Sequence, residues 1–299
     1  MSTAPGRRPP WREFRAALDA AGFHPSKKLG QNFLLDENTA SAIARDGAVG
    51  EGDLVLEVGV GCGFLSTALL ATGARLVGVE VDRRLFAIAQ GFLEPMARPG
   101  QLELVRADVL AKKRAVAPEV LEHLPTDGSP WHLVSNLPYS IASPLLVSLA
   151  RLPMPWGPPA SMTVLVQAEV AERLTAEPAT PAWGGLTAKL HLDYRGRLTR
   201  RVGAALFSPR PKVESAVARL ELLDERPPAD ETAAADVLVD AFFQARRKTL
   251  RATLGRHLGD KEVALAALER AGLDPGARPE VLPATAFLDL ARALAGSAG

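Results

Sequence analysis

Residues 54–64 read Leu-Val-Leu-Glu-Val-Gly-Val-Gly-Cys-Gly-Phe. The stretch LVLEVG (54–59) is a short apolar run of strand type, and it leads straight into glycines at 59, 61 and 63. Alternate glycines let a backbone turn sharply and come close to a ligand that a side chain would hold away. Phe64–Thr72 then reads as a helix. The same alternation continues along the chain. RLVGVEV (75–81), LELVRA (102–107), WHLVSN (131–136) and MTVLVQ (162–167) read as strands, and Arg83–Phe92 and Ser143–Arg151 as helices. Apolar strands alternating with helices imply a mainly parallel sheet covered on both faces. The fold class is therefore α/β, with a Rossmann-like sheet.

Ahead of this core, Trp11–Ala21 is amphipathic, SKKLGQNFL is a polar loop, and Asp36 is placed to cap a helix reaching about Val49. After it, VESAVARLEL (213–222) reads as a late strand and ERPPADE (225–231) breaks the composition. Segments 232–257, 260–272 and 286–297 beyond the break look helical. The expected division is a sheet domain over 1–226 and a small C-terminal helical domain over 227–299.

A chain of 299 residues, 47% hydrophobic and 23% charged, has an ordinary globular composition. One cysteine, Cys62, excludes an internal disulfide and fits a reducing, cytoplasmic setting. The histidines at 24, 123, 132, 191 and 257 lack metal-ligand spacing, so no metal is expected. MSTAPGRRPPWREF does not read as a secretory signal and no stretch reads as a membrane span. Net charge is only +1, but it is unevenly distributed. Residues 195–219 carry Arg195, Arg197, Arg200, Arg201, Arg210, Lys212 and Arg219 against Glu214 alone. Residues 246–256 carry Arg246, Arg247, Lys248, Arg251 and Arg256 with no acid. Such stripes suit a phosphate backbone, although either could be plain solvated surface.

In an open α/β sheet the ligand lies beyond the carboxyl ends of the strands. Glu80 ends the second strand there, where an acid can accept both ribose hydroxyls of a nucleoside cofactor. A dinucleotide fold offers the same acid, but its fingerprint is G-x-G-x-x-G, and here Phe64 occupies the third glycine's place. G-x-G-x-G is common in enzymes that use S-adenosyl-L-methionine. Asp108, closing the third strand, can accept an adenine amino group.

Asn136-Leu137-Pro138-Tyr139 leaves the fourth strand beside the same cleft. An exocyclic adenine amine is a poor nucleophile because its lone pair is delocalised into the ring. Acceptors aimed at its two N–H groups free that lone pair. The Asn136 side-chain oxygen is one candidate and the Leu137 carbonyl the other. Pro138 adds no competing N–H and holds Leu137 extended. Tyr139 offers a ring face on which a base can stack.

The resemblance these motifs carry is to the ribosomal RNA small-subunit adenine N6,N6-dimethyltransferase family (KsgA-like). The matching stretches are KKLGQNFL (27–34), LEVGVGCGFLS (56–66), VGVEVD (77–82), ADVL (107–110), NLPYSIASPLL (136–146), VQAEVAERL (166–174), FSPRPKVESAVARL (207–220) and FFQARRKTLRATL (242–254). The resemblance implies a class I methyltransferase that takes methyl groups from S-adenosyl-L-methionine. It would place two on each of two adjacent adenines near the 3′ end of 16S rRNA, on an assembling small ribosomal subunit. It further implies that Asn32 and Leu34 help close over the cofactor, that Gly59 lines its methionine end with Gly61 also in the cofactor site, and that Glu80 holds the ribose and Asp108 the adenine. Asn136 would be shared between cofactor and target. Phe207 would stack on the flipped base opposite Tyr139. Arg210, Lys212, Arg246, Arg247, Lys248 and Arg251 would face the RNA; 1–226 would be the catalytic domain and 227–299 a helical RNA-contacting one.

Other readings stay open. One is a large-subunit rRNA methyltransferase of the antibiotic-resistance type, which shares the fold. Another is a non-catalytic assembly factor, against which the intact Asn136–Tyr139 and Glu80 argue. A nicotinamide oxidoreductase is disfavoured by Phe64 and by the absence of a hydride-transfer constellation.

Overall fold

The computed structural model describes residues 10–26, 30–112, 115–138 and 140–296. Seven strands form one sheet: β1 (Leu54–Val58), β2 (Arg75–Val79), β3 (Leu102–Val105), β4 (Trp131–Asn136), β5 (Ser161–Gln167), β6 (Tyr194–Val202) and β7 (Ser215–Leu222). Their order is β3-β2-β1-β4-β5-β7-β6. From β3 to β5 all neighbours run parallel, while β7 pairs antiparallel with β5. Aliphatic runs suit these central strands because both faces are covered; Leu56, Leu133, Val134, Met162 and Val164 have no solvent exposure. The order reverses direction between β1 and β4, which opens a crevice at their carboxyl ends.

Strand β6 is absent from the sequence reading. YRGRLTRRV buries only its two ends, Tyr194 and Val202, and carries four arginines. It lies on the sheet edge, where charged side chains discourage pairing with another chain. Apolar periodicity was therefore a poor guide there.

The helix after Asp36 spans Glu37–Asp46, with Asp36 Oδ1 accepting the Thr39 N–H at 2.7 Å. It stops short of Val49 because its end is tied off by two arginines, Arg219 buried and Arg200 part-exposed. Arg219 donates to the Asp46 and Gly47 carbonyls. Arg200 grips the Asp46 carboxylate twice, at 2.6 and 2.7 Å. Burial works to raise the Asp46 pKa, but the hydrogen bonds from Arg200 and Thr199 and the charges of Arg200 and Arg197 hold it below the ordinary value. Two arginines of the 195–219 stripe thus serve packing rather than an RNA surface.

Among the described residues, those up to Ala171 together with Arg197–Glu221 form one compact unit, and Glu172–Gly196 with the residues from Leu222 onward form another. The second unit is helical, with a core that includes Trp183, Phe242, Leu254, Leu268 and Phe287. Lys189, nearly buried there, pairs with Asp240 at 2.7 Å. The single helix expected over 232–257 is two helices, Ala229–Gln244 and Leu250–Leu258. Arg246, Arg247 and Lys248 lie in the turn between them, so they are not on a helix. The break has a backbone cause. The Leu250 and Arg251 N–H groups bond to the Ala277 and Pro275 carbonyls instead of continuing the helical ladder.

Candidate functional site

A cavity lies at the carboxyl ends of β1, β2 and β4, walled by Gly30–Leu34, Glu57–Cys62, Glu80, Asp108 and Asn136–Pro138, among others. Its floor is the glycine loop. Gly59, Gly61 and Gly63 have φ of 80°, 53° and 69°, the left-handed region that favours glycine. A Cβ on Gly61 would lie 3.1 Å from the Phe33 ring and one on Gly63 3.0 Å from Leu93. The Gly59 and Val60 N–H groups both bond to the Val79 carbonyl, at 2.8 and 3.3 Å, so the loop leans toward β2.

Glu80 is 4% exposed, and its carboxylate is fixed from two sides. Oε2 accepts the Gly61 N–H at 3.0 Å and Oε1 the Asp82 N–H at 2.9 Å. Burial raises its pKa, against the pull of those two N–H groups. Asp108 is exposed at the cavity mouth, with Oδ1 accepting the Leu110 N–H at 3.1 Å.

Glu57 was missed by the sequence reading except as a strand residue. It is 1% exposed, lines the cavity, and accepts the Ser66 hydroxyl at 2.6 Å. Burial pushes its pKa up to about 8, Ser66 working against the rise and the charge of Glu80 with it. The available signal was a carboxylate inside an otherwise apolar strand, which needs a reason to be there.

On the opposite wall, the Asn136 side-chain nitrogen donates to the Asn32 carbonyl at 3.3 Å. The Leu137 N–H bonds to Leu165 at 3.1 Å, and Pro138 packs against Gly59, leaving 3.4 Å to a built Cβ. Tyr139 lies outside the described residues. Asn32 is held in turn, because Phe33–Leu34 pairs antiparallel with Phe207–Ser208 and the Leu35 N–H reaches the Leu206 carbonyl at 2.9 Å.

The structure thus brings Asn32, Leu34, Gly59, Gly61, Glu80, Asp108, Asn136, Leu137 and Pro138 to one cavity. Phe207 stands apart from its wall. It is 5% exposed, opposite Leu34, in the core cluster that includes Phe23 and Phe33. Arg210 and Lys212 are exposed, as are Arg247, Lys248 and Arg251 in the other unit, while Arg246 pairs with Glu280 at 3.0 Å. No cluster of metal-ligating side chains occurs among the described residues. Carboxylates fixed at a glycine floor, facing an oriented amide, suit a nucleoside-bearing ligand on one side and a second polar group on the other.

A family model described as ribosomal RNA adenine dimethylase matches residues 22–295. A relative from Phenylobacterium zucineum (strain HLK1), named ribosomal RNA small subunit methyltransferase A, is 44% identical over 279 residues, covering 93% of this chain and 91% of the relative. One of the same name from Caulobacter vibrioides is 43% identical over 272 residues, covering 91% and 98%. Among solved structures, the 23S rRNA methyltransferase ErmE aligns with a TM-score of 0.64 at 26% identity, covering 88% of this chain and 99% of that one. A dimethyladenosine transferase from Plasmodium falciparum aligns with a TM-score of 0.66 at 22% identity, covering 85% and 94%, a likeness of fold.

Proposed function

The chain belongs to the ribosomal RNA adenine dimethylase family, and on that premise we propose that it dimethylates the exocyclic amines of two adjacent adenines near the 3′ end of 16S rRNA, using S-adenosyl-L-methionine. The observation that carries the reading is the pairing of a buried, doubly anchored Glu80 with an Asn136 tethered to Asn32, across one glycine-floored cavity. The reading puts the work in the cytoplasm, on an assembling small subunit.

The residues present fit the cofactor. A floor without side chains admits a close approach, and Glu80 retains lone pairs for ribose hydroxyls after taking its two N–H groups. Asp108 has an oxygen left for the adenine amine. Asn32 and Leu34 cover the methionine end with Gly59 and Gly61 beneath it. When bound, S-adenosyl-L-methionine supplies an electrophilic methyl group on a sulfonium.

The chain's own contribution is to prepare the adenine amine. Because the Asn136 nitrogen is spent on Asn32, its oxygen is the end offered as acceptor. The Leu137 carbonyl accepts the second N–H. Together they draw the nitrogen toward tetrahedral geometry and release its lone pair from the ring. No general base is needed while that lone pair is being used, so positioning and electrostatics carry the work. Tyr139 holds the base by stacking. Phe207, buried opposite Leu34, supports the covering segment and reaches a flipped base only if that segment moves. Arg210, Lys212, Arg247, Lys248 and Arg251 meet the RNA backbone.

Mass spectrometry of rRNA from a strain lacking the gene, complemented with wild type or Asn136→Ala, tests the reading. Dimethyladenosine near the 16S 3′ end should return with wild type alone. Its return with both proteins would leave the site reading without support. Methylation of 23S rRNA instead would select the large-subunit alternative.

A further inference from the structure

Strands β1 and β4 are paired through their backbones only from Leu54 to Leu56, opposite Trp131 to Leu133. Beyond that point no backbone pair is formed between them. Val58 pairs with Val79 on β2, and the glycine loop follows it. On the other side Ser135 pairs with Val164 and Asn136 with Leu165 on β5, and the Leu137 N–H also goes to Leu165. The ladder therefore opens where the cavity begins, and the facing N–H and C=O of Val58 would be left without partners.

One side chain spans the opening. The Ser135 hydroxyl donates to the Val58 carbonyl at 2.6 Å and accepts the Val58 N–H at 3.3 Å, with no solvent exposure. A hydroxyl on one carbon is short enough to bridge the unpaired strand ends and can donate and accept at once. The bridge joins the residue before Gly59 to the residue before Asn136, hence the two walls of the cavity.

We propose that Ser135 is a positioning residue: its hydroxyl sets the separation of Gly59 from Asn136, and so the approach of the acceptor amine to the methyl donor. The inference rests on the methyl-transfer reading above. Cofactor contacts on the β1–β2 side, Glu80 among them, do not depend on the bridge. The distance to Asn136 does, and small misplacements are costly at this step.

Ser135→Ala separates this role from plain packing, with Gln101→Leu as control. Gln101 is also buried and its side chain also bonds to backbone groups, donating to the Leu70 and Ala74 carbonyls and accepting the Arg98 N–H, but it is not on the cavity wall. Ser135→Ala should lower kcat about tenfold or more at saturating cofactor. It should leave S-adenosyl-L-methionine affinity within about threefold, and it should speed amide exchange at Val58. Gln101→Leu should lower the melting temperature with kcat unchanged. Unchanged kcat in Ser135→Ala, or cofactor affinity falling in step with kcat, overturns the proposal. If Ser135→Ala does not fold, Ser135→Cys, which keeps a weaker donor and acceptor, should show the same split to a smaller degree, and its absence there is equally fatal. Wild-type protein that methylates no rRNA would defeat the methyl-transfer reading instead. Val58 exchange still decides the bridge in that case, and exchange unaltered by Ser135→Ala rejects it.

Discussion

The side-chain nitrogen of Asn136 donates to the backbone carbonyl of Asn32, 104 positions earlier in the chain, at 3.3 Å. This one bond fixes which end of the amide is free. It also ties the wall of the proposed target site to the segment that covers the proposed cofactor site.

Asn136→Ala is expected to leave a folded protein whose methyl transfer falls by about 100-fold or more, the scale seen when a preorganised polar group is removed. The second methylation should suffer more, since a monomethylated amine has one N–H left to anchor. Single-turnover assays that resolve mono- from dimethyladenosine measure both. Asn136→Asp should not rescue the first step, because a carboxylate cannot donate to Asn32. Tyr139→Phe should retain most activity and Tyr139→Ala lose it, by about 1–3 kcal/mol for a missing stack.

Glu80→Ala is expected to weaken S-adenosyl-L-methionine by about 1.5–3 kcal/mol, the range for a hydrogen bond to a charged group. Calorimetry reads this directly. NAD should not bind. Tight NAD binding with no response to S-adenosylhomocysteine would contradict the assignment of the glycine loop.

Glu57 makes stability depend on pH in a stated direction. Its pKa rises from the ordinary 4.5 to about 8 on folding, so between those values the folded chain holds a proton that the unfolded chain has lost. The stabilising contribution is complete below about pH 4.5 and is lost as pH rises through about 8. The slope approaches about 1.4 kcal/mol per pH unit within that window. Urea titrations at several pH values should show wild type weakening across it, with Glu57→Gln flatter.

Replacing Arg246, Arg247 and Lys248 together with Ala should weaken binding to the small subunit and flatten its salt dependence by about 2–3 in logarithmic slope. Cofactor affinity should not change. The single changes should be unequal. Arg246 is partly engaged by Glu280, so Arg247→Ala should cost more RNA affinity than Arg246→Ala. Equal, salt-independent binding in all variants would make the turn ordinary surface.

Much of the central sheet was legible because buried parallel strands must be aliphatic, and β1, β2, β4 and β5 are. Where that requirement lapses, the sequence is silent. β6 sits on an edge and has only two buried positions to signal it. The Phe33–Leu34 pair with Phe207–Ser208 is two residues long on each side, below any periodicity. Gly59, Gly61, Glu80, Asp108 and Asn136 announced one cavity because their chemistry is unusual at strand ends. Ser135 did not, because a serine beside a strand end is commonplace until its partner is seen, and the signal at Glu57, an acid within an apolar strand, does not say what it faces. Charge counting misled at Arg200 and Arg219, whose guanidinium groups are engaged at a helix end.

The antiparallel contact of Leu34 with Phe207 also bears on synthesis. As the chain emerges, β1 to β5 and the glycine floor are complete by Gln167. The segment carrying Asn32 then has no partner strand until residues beyond Glu172–Gly196, which belong to the other unit, have been made. A nascent chain halted near residue 190 would hold most of the cavity wall, its cover tied only through the Asn136–Asn32 bond and lacking its partner strand. The cover over the cavity is thus expected to be fixed late in translation, when Phe207 and Ser208 arrive.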